Sequence, residues 1–188
     1  MVQHTGALAA GQLLVATQPG RGGYFDRSVV LILEHNLEAT VGVCLNLPTD
    51  TPVADVVAPF ADKASVPAVI FEGGPVNNEI AVTLGEPATP ESPPPGWQQI
   101  VGDIGVVDMS FPPELIDTSF AQLRVFVGLA SWAPGQLEAE LIRGSWFRSH
   151  ARPEDVFGDP EGIWRRVLRR MGGGAGRWST WSDDPTLN

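Results

Sequence analysis

The side chains that could do chemistry in this chain are few, and they are scattered. Glu34-His35-Asn36 closes an apolar run and enters a turn. An imidazole there is a candidate general base, because its charge changes near neutral pH. Adjacent strand residues point to opposite faces, so Glu34 is badly placed to orient His35. The competing reading is a turn built by Asn36 beside a surface histidine. His4 and His150 are the other imidazoles. Gln136 and Glu140 stand four apart in a helical pattern and share a face. They offer an amide and a carboxylate beside the end of a strand, either as a small polar pocket or as partners for backbone groups at a tight junction. Gly73-Gly74-Pro75 follows another strand. Such a turn lets backbone amides approach an anion, or supplies positive φ and nothing more. Asn46 completes this candidate pocket of His35, Asn36, Asn46, Gly73, Gly74, Gln136 and Glu140.

A second group is basic. Arg165, Arg166, Arg169 and Arg170 recur at i, i+1, i+4 and i+5 and form one face of a late helix. They read either as phosphate contacts or as cations that complement the helix dipole and keep a surface helix soluble. No helix-turn-helix pair precedes them to read bases. Three separated histidines and one cysteine give no short-range ligand spacing, so neither a metal site nor a cofactor is expected. Cys44 lies in an apolar run and reads as an inert buried thiol. No serine sits in a Gly-x-Ser-x-Gly elbow.

Composition narrows the classes further. The 188 residues carry a net charge of −10, unevenly spread. Through Ile142 there are 4 basic and 16 acidic residues, against 8 and 6 in the remainder. An acidic chain lacks the positive field of a general nucleic-acid binder, although a local basic surface near the C-terminus survives this argument. No apolar run reaches the roughly 18–20 residues that cross a bilayer, and the N-terminus has no basic leader, so no membrane contact is expected. With one cysteine there is no internal disulfide, and the expected compartment is the cytoplasm.

The elements that would position these residues are strands in hairpins with a few helices. QLLVAT (12–17), SVVLILEH (28–35) and TVGVCLNLP (40–48) read as three strands, the last two joined by a short loop. TQPGRGGYFD (17–26) is a glycine-rich loop. TPVADVVAPF (51–60) predicts a helix capped by Thr51, with Pro52 in its first turn and Pro59 at its end. Strands follow at 67–76 and 79–86, then the proline loop 87–95, a hairpin over 97–101 and 104–109, a short helix at 112–118 and a buried strand at 122–130. That strand turns into a helix near Pro134, where Gly135 permits close packing and Leu137 and Leu141 face the core. The last helix takes Asp159 as cap and Pro160 as first residue, buries Ile163, Trp164, Val167, Leu168 and Met171, and stops at Gly172. Residues 1–172 thus form one α+β domain, and 173–188, with Trp178 and Trp181, read as a loosely held tail.

FDRSVVLILEHN (25–36), GVCLNLPT (42–49), EGGPV (72–76), ASWAPGQLEAELIRGSW (130–146) and the helix around Trp164 occur in an order and at spacings that resemble the AlgH/YqgE family of bacterial proteins. The resemblance spans roughly residues 10–171. It implies a bent, mixed, largely antiparallel sheet forming a partly closed, barrel-like core with flanking helices. It implies little about activity, since members carry the label of transcriptional regulators without a reaction that transfers here. This chain departs from the family's wording at Leu47, where arginine is usual, and in its tryptophan-rich end. Three function classes follow. They are a non-enzymatic regulatory protein acting through a protein partner or small ligand, a nucleic-acid binder using the arginine helix, and an enzyme in which His35 meets Glu140.

Overall fold

A computed structural model of the chain describes residues 7–17, 19–20 and 22–182, so His4 lies outside the described residues. Three strands open the fold, β1 (Gln12–Ala16), β2 (Val29–His35) and β3 (Thr40–Cys44). β4 (Pro48–Pro52) leads into α1 (Val53–Val56) and a 3-10 turn at Ala58–Lys63. β5 (Val69–Glu72), β6 (Val76–Pro87), β7 (Trp97–Val101) and β8 (Ile104–Val107) follow. A second 3-10 turn runs into α2 (Ile116–Ser119) and the long β9 (Phe120–Trp132). α3 (Gln136–Ile142), β10 (Trp146–His150), α4 (Pro153–Phe157), α5 (Ile163–Met171) and α6 (Gly173–Trp178) complete it.

The main sheet runs β10-β1-β2-β3-β9-β6-β8-β7, antiparallel throughout. β5 adds a parallel pairing to β9 and carries β4 on its other edge. This is the curled, half-barrel α+β domain that the resemblance implied. The near-continuous apolar runs of β1, β2 and β3 have a physical reason, because both faces of these strands are covered. Leu13, Val15, Val29, Leu31 and Val43 pack with α4 and α5 through Val156, Trp164 and Val167. Leu14, Val30, Ile32 and Cys44 point the other way, toward Trp132, Leu137 and Trp146. A third cluster joins Val53, Phe60 and Ile116 to Leu123 and Val125 of β9. Each fully buried side chain of this kind contributes about 1.5–3 kcal/mol.

Four expectations need correction. The segment 51–60 is not one capped helix. Thr51 and Pro52 belong to β4, no side chain caps α1, and Val56 is 53% exposed. Pro59 opens the following 3-10 turn instead of ending a helix, because a residue without N–H is tolerated only in a first turn. The late helix begins at Ile163 behind Gly162, not at Pro160. The Asp159 carboxylate is used one turn earlier, accepting from the Glu161 amide at 2.9 Å. Beyond Gly172 the chain does not hang free: α6 buries Ala175, Trp178 and Trp181 pack on the first core cluster, and residues 183–188 lie outside the described residues.

The glycines exchange roles relative to the sequence reading. Gly73 and Gly74 are buried and do not have positive φ. A Cβ on Gly73 would lie 2.3 Å from the Gly128 carbonyl oxygen, and one on Gly74 would lie 2.0 Å from the Leu129 carbonyl carbon. Gly135 is the reverse case, with open space around it and φ of 74° at the start of α3. The first pair allows two backbones to touch, and Gly135 turns the chain.

Candidate functional site

The junction of β9 with α3 builds a connected polar network. Trp132 ends the strand, Gly135 bends the chain, and the Gln136 side-chain oxygen accepts from the Ala133 amide at 3.1 Å. One helical turn on, the Gln136 amide donates to Glu140 Oε1 at 3.0 Å. The indole N–H groups of Trp132 and Trp146 both donate to Glu140 Oε2, at 3.0 and 2.8 Å. Glu140 is therefore the hub that ties strand end, helix and returning β10 together. Three donors occupy most of the roughly four acceptor directions of a carboxylate.

Aromatic packing extends this hub to the glycine-rich loop. Phe25 stacks on Trp132, with centroids 6.0 Å apart, and meets the edge of Trp146 at 5.6 Å. Tyr24 packs edge-on against Phe25 and donates its hydroxyl to Glu72 at 2.7 Å. Burial and that acceptor together hold the Tyr24 hydroxyl above its ordinary range. Between this loop and the α3–β10 turn lies a cleft of about 330 Å³. Phe25 and Trp146 line it with apolar surface, and Asp26, Glu140, Arg143 and Ser145 with polar groups. Asp26 accepts from the Gly20 amide at 3.1 Å, and Thr17 donates to the Gly144 carbonyl at 2.6 Å, so both walls are braced. Arg143 is exposed at the cleft.

The other residues singled out by sequence have partners other than Glu140. His35 Nδ1 lies 2.7 Å from the Thr40 hydroxyl, and its Nε2 is 3.9 Å from Glu138. The β2–β3 turn thus meets α3, but through Glu138, which the helical period puts on the far side from Glu140. Asn36 accepts from the Glu38 and Ala39 amides and donates to Glu34, which is the turn-building role. Asn46 clamps the loop below the cleft, accepting from the Val29 amide at 3.0 Å and donating to the Arg27 carbonyl at 3.0 Å. Gly73 spends its amide on the Val127 carbonyl, within backbone packing.

A sequence model described as AlgH-like (DUF179) matches residues 13–176. The chain belongs to the AlgH-like family. Among relatives, a UPF0301 protein of Streptomyces coelicolor is 45% identical over 183 residues, covering 95% of this chain and 94% of that protein. A UPF0301 protein of Thermobifida fusca is 40% identical, with 95% and 94% covered. A crystal structure of a Corynebacterium diphtheriae protein matches with a TM-score of 0.86 at 32% identity, over 94% of each chain. The solution structure of the AlgH protein from Pseudomonas aeruginosa matches with a TM-score of 0.66 at 21% identity, over 97% of this chain and 98% of that one, and shows the shared fold.

In this AlgH-like chain the arginine face of α5 is largely spent on the protein itself. Arg165 donates to the Ser179 carbonyl at 2.9 Å and Arg166 to the carbonyls of Asp159 and Glu161. Arg170 forms a two-pronged pair with the buried Asp155, at 2.9 and 2.8 Å, and reaches the His150 carbonyl. Arg169 is exposed. Sequence reasoning missed Tyr24, Phe25 and Arg143, which come together at the cleft only because distant segments fold onto one another. It also missed Arg124, buried in β9, which donates to the carbonyls of Val66, Val156 and Gly158 and lies 4.4 Å over the Phe71 ring. Burial depresses the Arg124 guanidinium to about 10, with Asp159 opposing. Cys44 is buried and its thiol is pushed up to about 12, mainly by burial and then by the charge of Glu72. Among the described residues no cluster of acidic, His and Cys side chains is set to hold a metal.

Proposed function

We propose that this protein is a non-enzymatic regulatory or interaction protein that takes a small ligand in the cleft between the glycine-rich loop and the α3–β10 turn. The observation that carries the reading is the state of Glu140. It borders the cleft, yet two indole N–H groups and the Gln136 amide already hold it. A general base must reach a substrate proton within about 2.6–3.2 Å, and the indoles that shape the wall already fill Oε2, leaving about one acceptor direction on Oε1 beside the Gln136 amide. What the cleft offers a ligand is the exposed Arg143 cation beside the Phe25 and Trp146 rings. That combination suits a small molecule with an anionic group and a flat apolar part. A cytoplasmic location belongs to the same reading, supported by a single buried thiol that needs no oxidising compartment.

Titrating the full chain with aromatic carboxylates and nucleoside monophosphates, followed by tryptophan fluorescence, tests this. A saturable change that Arg143→Ala removes is expected. No response from any member, or chemical turnover of one, would overturn it. Direct nucleic-acid binding has weaker support, since Arg165, Arg166 and Arg170 are engaged within the chain. Salt-sensitive DNA binding at about 50 mM salt that Arg166→Ala and Arg169→Ala weaken would revive it.

A further inference from the structure

A second concavity lies where β4, α1 and β5 meet the start of β6, and encloses about 500 Å³. Val56, Ile70, Phe71 and Val127 give it apolar surface, and Glu72 and Asn78 polar groups. Val56 is 53% exposed, and Val76 and Ile80, which flank Asn78 in the chain, are 39% and 40% exposed. Val56 thus presents apolar surface at the groove itself.

The backbone is also shaped here. Val76 pairs with Leu129 and Ala81 with Val127, so four residues of β6 bulge out opposite Gly128, and Asn77 has φ of 55°. Bulges of this kind re-aim side chains beside sites, and this one carries Asn78 to the groove. Glu72 is exposed within the lining, and Asp55 and Glu79 are exposed next to the lining residues Val56 and Asn78 in the chain. The first three-quarters of the chain hold four times as many acids as bases. A positively charged partner is drawn to an exposed carboxylate on a chain of this charge, and a negative one repelled.

We propose that this apolar groove, with Glu72 in its wall, docks an extended segment of a partner protein that alternates apolar and basic side chains. The apolar side chains cover Val56 and Val127, and a basic one pairs with Glu72. The intramolecular competitor is already in place, because Tyr24 donates to Glu72 Oε1 at 2.7 Å. The incoming cation must share or take that carboxylate. Tyr24 also borders the first cleft, but docking in the groove does not depend on a ligand there.

The test is a titration of the nitrogen-labelled full chain with an acetylated, amidated hexapeptide alternating leucine and arginine, beside the same peptide with glutamate in place of arginine. Amide shifts should concentrate at Thr49, Val56, Glu72 and Asn78 with the arginine peptide, and binding of the glutamate peptide should be at least about tenfold weaker. Glu72→Gln should weaken the arginine peptide several-fold, and Val56→Ser should do so without touching a charge. Tyr24→Phe should tighten it about two- to fivefold by removing the competing hydroxyl. Equal response to both peptides, shifts centred on Arg143 and Trp146, or no response up to about 1 mM would overturn the proposal. So would a dimer of the protein alone that Val56→Asp dissociates, because a second copy would then be the occupant.

Discussion

Glu140 and Glu72 are the same residue type placed at two chain reversals, and they are held very differently. Glu140 follows the bend between β9 and α3 and receives three donors from its own chain. Glu72 ends β5, stands exposed, and receives one, the Tyr24 hydroxyl. The side chains around them differ in the same sense. Glu140 is enclosed by two indoles and an amide, whereas Glu72 looks over an apolar groove. A carboxylate whose acceptor directions are filled acts as framework, and one with capacity left can take a partner. The same chemistry therefore marks scaffold in one region and surface for recognition in the other.

The most severe way to break this contrast is to move the turn that sets Glu72. Gly74→Ala forces a methyl against the Leu129 backbone, which cannot yield as a side chain would. Urea unfolding should show a loss of more than about 4 kcal/mol. Gly135→Ala, strained but in open space, should cost only about 1–2 kcal/mol. Next in size is Glu140→Ala, which leaves two indole N–H groups without their acceptor. A loss of about 2–4 kcal/mol is expected, lowering Tm by roughly 5–12 °C, with a smaller loss for Glu140→Gln because one acceptor oxygen remains.

The reach of the Glu72 charge gives a subtler comparison. The folded Cys44 thiol stands near 12, above its ordinary value near 9, so the stability it contributes is complete below about pH 9 and is lost as pH rises toward 12. Glu72→Gln removes one of the two causes, and thiolate absorbance in the folded protein should appear at lower pH. Glu140→Gln should leave that titration where it is. The smallest effect is on stability from Tyr24→Phe, within about 0.5 kcal/mol by thermal unfolding, since the pair it breaks is exposed. A large loss there would make Glu72 framework as well and erase the contrast.

Much of the architecture was legible because it is written in local period and composition. Doubly covered strands appear as continuous apolar runs, the hairpin over 97–109 alternates between short turns, and the buried stripe of α5 keeps the helical repeat through Met171. The segment 51–60 misled because its valines have helical spacing, while β4 needs Thr49 and Thr51 beside β5, with the Thr49 hydroxyl on the Ile70 carbonyl at 2.7 Å. Pairing between distant strands overrode a local pattern there. At the site, the Gln136–Glu140 link follows directly from a spacing of four. The indoles that complete it come from the preceding strand and the following one, and Phe25 comes from more than a hundred residues away.

By itself the sequence determined the family, most of the strands, the stripe of α5, the Asn36 turn and the Gln136–Glu140 pair, all of which depend on neighbours a few residues apart. Only the tertiary structure decided what each glycine and each charge is for. Gly73 and Gly74 answer to a backbone more than fifty residues later. The arginines of α5 answer to carbonyls and to Asp155 presented by other segments. His35 is directed to Glu138 and away from Glu140 by the packing of a hairpin on a helix. Residue type records what a side chain can do, but its partners are chosen by contacts between parts of the chain that no local pattern relates.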